Sequence, residues 1–200
     1  PMCLSQTITD VNVNPNQITE VNFILPYGSY SSVDNFESYE DFALIFEPSA
    51  ECYILRTIDL DHSPTCTLEG VNWPNAGLPM AFMVFNPFAT IPPLSGALPF
   101  SGYKEAACFG SVNNPNNDWL ISPQLNLSSD ATLSFWARSY TAQYGLERFK
   151  VGVSTTGIDP SNFTIISGPN YIHAPASWTQ YTYTLPQPAK YFAVQCVSND

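Results

Sequence analysis

Charged side chains are scarce in this 200-residue chain, where they make up 12% of the residues, against roughly 25% in an ordinary soluble protein. Only six are basic and 17 are acidic, so the net charge at neutral pH is −11. That charge repels nucleic acid and anionic membranes. No apolar run approaches the roughly 18 residues that a membrane span requires, and no stretch has an apolar stripe at helical spacing. The sequence therefore predicts neither nucleic-acid binding, nor membrane insertion, nor a helical fold.

Catalytic residue sets are also missing. The chain has two histidines, His62 and His173, and contains no phosphate-binding loop, HExxH motif or GxSxG motif. The run Asp61, His62, Ser63 has the residue types of a catalytic triad, but adjacent side chains rarely point at one another. We therefore interpret His62 as a loop residue and predict that the chain is not an enzyme. A pair of carboxylates that cleaves a glycosidic bond is the enzymatic alternative.

The cysteines are odd in number and lack the closely spaced pairs of a zinc site. Buried or unpaired thiols are one interpretation, and a bridge between Cys52 and Cys66 is the other. No basic start followed by an apolar stretch opens the chain, so we expect a signal peptide to be either absent or already removed. The five cysteines are Cys3, Cys52, Cys66, Cys108 and Cys196.

Short segments of alternating apolar and polar residues indicate β-strands. Leu133 and Phe135 alternate with polar neighbours, as do Phe149, Val151 and Val153. Prolines, of which there are 18, fall mainly between such runs, where a missing backbone donor does not break a ladder. The pattern predicts an all-β sandwich with these five side chains in its core.

The chain divides into three parts. Residues 1–26 have the pattern of a β-hairpin, which is either the tail of a preceding β domain or an edge added to the next one. Residues 27–33 are rich in turn formers and form a linker, and residues 34–200 form the main domain. Within the main domain, the apolar run at 80–85 predicts a buried strand. The proline-rich segment 86–103 predicts a surface loop.

Four linked motifs carry a resemblance to a known family. They are NDWLISPQLNL at 117–127, ATLSFWAR at 131–138, FKVGVSTTGIDPSNFT at 149–164 and WTQY at 178–181. Together they resemble the cleaved-adhesin (choice-of-anchor) domain, the jelly-roll module repeated in the haemagglutinin regions of gingipains and found in secreted Bacteroidetes proteins. The layout is also similar to that of eukaryotic MAM domains. Residues 1–26 resemble the end of a carboxypeptidase-regulatory-like sandwich.

The resemblance implies a jelly roll of two antiparallel sheets over residues 34–200, with an N-terminal β-hairpin extension. It also implies an opening strand at Phe36 and Glu37, and a closing strand that would lie beyond Asp200. Residues 58–61 resemble the acidic loop of the family, but the glycine-punctuated part of that loop is replaced here by His62, Ser63 and Pro64.

Acidic residues suggest a structural calcium site, because Ca²⁺ takes six to eight oxygen ligands. Our candidates, chosen partly on the resemblance, are Glu37, Asp59, Asp61 and Asp118. A solvated acidic loop is the alternative, since no ligand loop of fixed spacing is present.

Exposed aromatic rings can stack on sugars, and three residues are candidates for ligand binding. Tyr140 and Tyr144 lie in a predicted loop, and Trp73 stands between an asparagine and a proline. The resemblance, together with the strand pattern, the low charge and the missing catalytic sets, implies a non-catalytic adhesion or ligand-binding module of a secreted or cell-surface bacterial protein. Its partners would be a host or matrix protein or a glycan, together with other domains of the same polypeptide. A spacer that binds nothing is the structural alternative.

Overall fold

The computed structural model describes residues 33–44 and 55–199. The predicted hairpin at 1–26, residues 27–32 of the predicted linker and Cys52 lie outside the described residues. The described part folds into short strands joined by loops and two single 3₁₀ turns, Pro87–Ala89 and Pro160–Asn162. The strands are β1 (Arg56–Asp59), β2 (Phe82–Phe85), β3 (Glu105–Cys108), β4 (Asp118–Ile121), β5 (Ala131–Ala137), β6 (Arg148–Ser154), β7 (Thr164–Ile165), β8 (Ile172–His173), β9 (Thr179–Leu185) and β10 (Tyr191–Cys196).

One layer of the fold is a six-stranded antiparallel sheet. Its order is β1, β4, β10, β6, and both β7 and β8 pair with the far side of β6. The register places Asp59, Asp118, Cys196 and Phe149 opposite one another on successive strands. Directly opposed residues share a face of a sheet. This row therefore points toward the second layer.

The second layer consists of two strand pairs, β5 with β9 and β2 with β3. Leu133 and Phe135 of β5 pack against Phe149 and Val151 of β6, while Val153 is also buried. The five side chains predicted for the core are therefore in it, because the period-two pattern assigns each to the face that meets the other layer. The prediction of an all-β sandwich of antiparallel sheets is confirmed.

The β2–β3 pair is covered on both faces. Phe82 and Val84 pack toward the six-stranded sheet, while Met83 and Phe85 pack beneath loop residues on the other side. A strand buried on both faces is apolar throughout, which confirms the buried strand predicted in 80–85. The loop predicted at 86–103 is confirmed as well, with Pro87–Ala89 as its one regular turn.

Phe36 and Glu37 do not form the expected opening strand. They lie in a turn, and Phe36 has a positive φ of 63°. The turn is held by Asp34, whose Oδ1 accepts a hydrogen bond from Phe36 N at 2.9 Å. This local bond competes with strand pairing. In the part of the chain that is described, no helix has the length and apolar character needed to cross a membrane.

Candidate functional site

Three carboxylates meet at one edge of the six-stranded sheet. Asp59 ends β1 and is the register partner of Asp118, which begins β4. Asp61 follows two residues after Asp59, in the turn that leaves β1. One carboxylate oxygen from each of the three lies within 4.8 Å of the others. We call Asp59, Asp61 and Asp118 the carboxylate cluster.

Asp61 is held in place by three donors. Its Oδ1 accepts hydrogen bonds from Ser63 N at 2.9 Å and from Ser111 Oγ at 3.0 Å, and its Oδ2 accepts one from Asn117 N at 2.9 Å. Hydrogen bonds to an ionised carboxylate are stronger than those between neutral groups. They fix the turn after β1 against the residues that lead into β4.

Asp118 is fully buried and only partly satisfied. Its Oδ2 accepts hydrogen bonds from Asn116 Nδ2 at 2.7 Å and from Cys108 Sγ at 3.5 Å. Its Oδ1 is buried with no hydrogen-bond partner. The pKa of Asp118 is raised from 3.8 to about 7, because burial and the negative charges of Asp61 and Asp59 outweigh the two hydrogen bonds that lower it. A buried oxygen without a donor is costly unless a cation or a proton satisfies it.

Asp59 braces the turn from the other side. Its Oδ1 accepts a hydrogen bond from His62 N at 2.7 Å, and its Oδ2 lies 3.9 Å from His62 Nδ1. His62 has a positive φ of 52°, a conformation that favours glycine. The turn after β1 therefore holds a histidine in a left-handed backbone conformation.

The donor chemistry of the cluster suits a hard cation. All three groups offer oxygen, which Ca²⁺ prefers, and Asp118 Oδ1 is buried without a hydrogen-bond partner. The neighbouring Cys108 thiol donates to Asp118 Oδ2. A hydrogen bond with Cys196, burial and the charge of Asp118 raise the pKa of this thiol.

Glu37 is not a member of the cluster, and its assignment as a ligand with the other three was wrong. Its Oε1 accepts hydrogen bonds from Tyr103 N at 2.7 Å and Lys104 N at 3.0 Å. Gly102 has a positive φ of 68°, and a Cβ there would clash with that oxygen. The carboxylate thus closes a turn before β3, and the sequence gives no signal of this long-range contact.

Trp73 is not available for stacking, which corrects its assignment as a ligand-binding residue. Its side chain is only 5% exposed, with its ring stacked on Phe109 at 5.2 Å and edge-on to Phe85 at 5.6 Å. Loops cover the outer face of the β2–β3 pair, and Trp73 fills the space beneath them. Tyr140 and Tyr144 are exposed, as the loop prediction requires.

A second aromatic group escaped the sequence analysis, with Phe100 and Trp136 exposed and Trp178 half-buried. Phe100 stacks on Trp136 with ring centroids 4.1 Å apart, and meets Trp178 edge-on at 6.0 Å. We call Phe100, Trp136 and Trp178 the aromatic cluster. One signal was available, because the alternation that turns Leu133 and Phe135 inward turns Trp136 outward.

Neither histidine faces a nucleophile in the described residues. The Ser63 hydroxyl donates to Pro64 O and accepts from Asn113 N, so the backbone engages it. His62 is 76% exposed and turned toward Asp59, while the His173 ring packs against Tyr171 at 5.2 Å.

The family match covers the sheets just described. A family model described as the Cleaved Adhesin Domain matches residues 93–198, slightly more than half of the chain. The chain belongs to the cleaved adhesin family. The matched range runs from the middle of the 86–103 loop through β10, so it includes Asp118 and the aromatic cluster, whereas Asp59 and Asp61 precede it. The resemblance found from the sequence motifs is confirmed.

Relatives of this cleaved adhesin domain are much longer proteins. Lys-gingipain W83 of Porphyromonas gingivalis is 34% identical over 131 residues, which cover 54% of this chain and 7% of that protein. Hemagglutinin A of Porphyromonas gingivalis is 33% identical over 131 residues, covering 54% of this chain and 6% of that protein. The chain therefore spans less than a tenth of the length of these relatives.

Two solved structures share the fold. The K1 cleaved adhesin domain of Lys-gingipain from Porphyromonas gingivalis W83 superposes with a TM-score of 0.50 at 26% identity, covering 73% of this chain and 82% of that one. The K2 cleaved adhesin domain of Lys-gingipain gives a TM-score of 0.56 at 15% identity, covering 83% and 89% of the two chains. The second likeness shows the fold alone.

Proposed function

We propose that this chain is a non-catalytic adhesion module of a secreted or cell-surface bacterial protein, which binds a host or matrix protein or a glycan. Membership of the cleaved adhesin family is the observation that carries the proposal. The net charge of −11 disfavours nucleic acid as a ligand. The much longer relatives support a chain that works beside other domains of the same polypeptide.

Calcium is the second part of the proposal. A cation bound by Asp59, Asp61 and Asp118 would satisfy Asp118 Oδ1 and cancel the repulsion among the three carboxylates. It would also hold the end of β1 against the start of β4, where Asp59 and Asp118 are paired. This role is structural, since the ion would hold the sheet edge rather than take part in a reaction.

The enzymatic alternative has one observation in its favour. The pKa of Asp118 is raised to about 7 and its side chain lies beside two other carboxylates, which is an arrangement that glycosidases use for a general acid. Asp118 is nevertheless fully buried, and its oxygens face Cys108, Asn116 and the other acids. A glycosidic oxygen cannot reach it without opening the sheet edge, so the cluster is better suited to an ion than to a substrate.

Turnover and binding assays separate the three functions. The purified chain is incubated with peptide and polysaccharide mixtures, and products are measured by mass spectrometry beside an Asp118→Asn variant. The proposal expects no product from either protein and saturable binding to at least one immobilised matrix protein or polysaccharide. Product formed by the parent and lost in the variant would make the chain an enzyme. Absence of both binding and product would make it a spacer.

A further inference from the structure

The β5–β9 pair turns one face away from the core, and that face is free of charge. The two strands pair along their full length of seven residues, with Ser134 opposite Thr182 and Trp136 opposite Gln180. Ser134 Oγ accepts a hydrogen bond from Gln180 Nε2 at 2.8 Å. The exposed outward side chains are Thr132, Ser134, Trp136, Gln180, Thr182 and Thr184.

The aromatic cluster lies at one end of this face. The Trp136 side chain is 40% exposed and that of Phe100 is 49% exposed, although the two rings stack at an interplanar angle of only 14°. Exposed apolar surface of this kind on a folded domain commonly marks an interaction site. The polar row of hydroxyls and an amide continues directly from the rings along both strands.

Hydrogen bonds hold the cluster in one arrangement. The backbone oxygen of Leu98 accepts from Arg138 Nη2 at 3.1 Å and from Trp178 Nε1 at 3.2 Å. The Arg138 guanidinium also lies over the Trp178 ring, 5.0 Å from its centroid. A loop that comes from far away in the chain is thus pinned beside the strand pair. Rings ordered before binding lose little conformational entropy when a ligand arrives.

We propose that the aromatic cluster and the outward face of β5–β9 form a binding site for neutral glycans built of pyranose rings with equatorial hydroxyls. This assignment rests on the adhesion function proposed above and names its ligand class. The C–H face of such a sugar carries positive hydrogens, which match the negative face of an aromatic ring. Its equatorial hydroxyls point sideways, where they meet the hydroxyls and amide of the outward face.

The absence of charged side chains on the outward face favours neutral glycans over charged ones. Arg138, which borders this face, is already engaged by Leu98 O and the Trp178 ring. The chain as a whole carries −11, which repels acidic polysaccharides. From Thr132 to Trp136 the strand extends about 14 Å, enough for a short run of sugar rings.

The test uses cellohexaose, xylohexaose and laminarihexaose as probes, titrated calorimetrically into the purified chain. Tryptophan fluorescence gives a second readout, because Trp73 and Trp119 are buried and the other two tryptophans belong to the aromatic cluster. We expect saturable binding of at least one probe, and we expect that probe to protect the fluorescence from quenching by acrylamide.

Three variants locate the site. Trp136→Ala and Phe100→Ala should each weaken binding roughly tenfold or more, since stacked aromatic anchors carry most of the affinity in such sites. Tyr171→Ala, which removes a 42% exposed ring outside the cluster, should leave the affinity unchanged. If Trp136→Ala does not fold by circular dichroism, Gln180→Ala removes the amide of the same face and should also weaken binding.

Three outcomes overturn the assignment. Absence of binding to all three probes at millimolar concentration removes the glycan site, whereas the proposed adhesion function still stands if a matrix protein binds. Binding of a matrix protein that is lost in Trp136→Ala, with no glycan binding, makes the cluster a protein-binding surface instead. If the parent, Trp136→Ala and Phe100→Ala bind glycan equally, the glycan site lies elsewhere on the chain.

Discussion

Replacing Asp118 with asparagine should make the chain more stable than the parent in chelator and less stable than the parent in calcium. In chelator at pH 8 the parent carries three carboxylates at the cluster, of which Asp118 is buried with one oxygen unpartnered. Asparagine keeps the shape and an oxygen that can accept from Asn116, but it has no charge to bury. The variant should therefore be the more stable protein in chelator and the less stable one in calcium.

The size of the effect follows from the pKa of Asp118. The folded chain holds this carboxyl at a pKa of about 7 against an ordinary value of 3.8. Between those pH values the folded chain binds a proton that the unfolded chain has released, so stability falls as the pH rises from 3.8 to 7 and is constant above. The full cost is about 4 kcal/mol as an upper figure.

Calcium acts in the opposite direction on the parent. An ion that binds only the folded chain stabilises it by about 4 kcal/mol when its concentration is a thousand times its dissociation constant. For a protein of this size that corresponds to a rise in melting temperature of roughly 10 °C. Asp118→Asn should lose most of this rise.

The assay is thermal unfolding of parent and variant at pH 8, in millimolar calcium and in chelator. Glu69→Gln is the matched control, because Glu69 is an exposed acid outside the cluster. It should follow the parent in both conditions. A parent whose melting temperature is the same in calcium and in chelator would refute the calcium site. A variant less stable than the parent in chelator would refute the argument from the buried charge.

Further predictions concern single side chains. Burial raises the pKa of Glu105 from 4.5 to about 7, although the positive charge of Arg138 lowers it. Glu105→Gln should therefore stabilise the chain by up to about 3 kcal/mol at pH 8 and by nothing below pH ~4.5. Denaturant titration at both pH values measures this difference, and a stabilisation that does not depend on pH would contradict it. His62→Gly should raise the free energy of unfolding by about 1 kcal/mol, because glycine adopts the positive φ of this position without strain. The variant should bind ligand as the parent does. A lower free energy of unfolding in the variant would show that the turn is unstrained. Phe135→Ala should lower the free energy of unfolding by about 3 kcal/mol, since the Phe135 ring packs against Phe149. Ser134→Ala, on the outward face of the same strand, should lower it little. Equal losses for the two variants in urea unfolding would contradict the assigned faces.

The strands with a clear period of two could be predicted from the sequence. In β5 and β6 the apolar residues Leu133, Phe135, Phe149, Val151 and Val153 stand at alternate positions, and a strand sends alternate side chains to one face. Local pattern thus contains the information that decides which residues enter the core. It is enough for the fold class and for the two-layer packing.

The carboxylate cluster depends on pairing between distant strands, which local pattern does not contain. Asp59 and Asp118 meet because β1 pairs with β4 in one register, and a shift of one residue would turn either side chain to the other face. Glu37 was misassigned for the same reason, since its partners Tyr103 and Lys104 lie more than sixty residues away in the chain.

Aromatic exposure depends on which loop covers which face. Trp73 has no periodic neighbours that predict its orientation, and its burial follows from loop packing over the β2–β3 pair. Trp136 sits within a regular alternation, so its outward orientation could be predicted. Its stacking with Phe100 could not, because that ring arrives from the irregular loop before β3.

Equilibrium binding tests the central claim, that this chain is a non-catalytic adhesion module, most directly. The purified chain is titrated in millimolar calcium onto immobilised matrix proteins and neutral polysaccharides, and the mass of each immobilised ligand is measured afterwards. The account predicts saturable binding to at least one ligand, no change in ligand mass, and loss of binding when the chain is unfolded by heat. Failure to saturate any surface, or a ligand shortened by the folded chain, would contradict it.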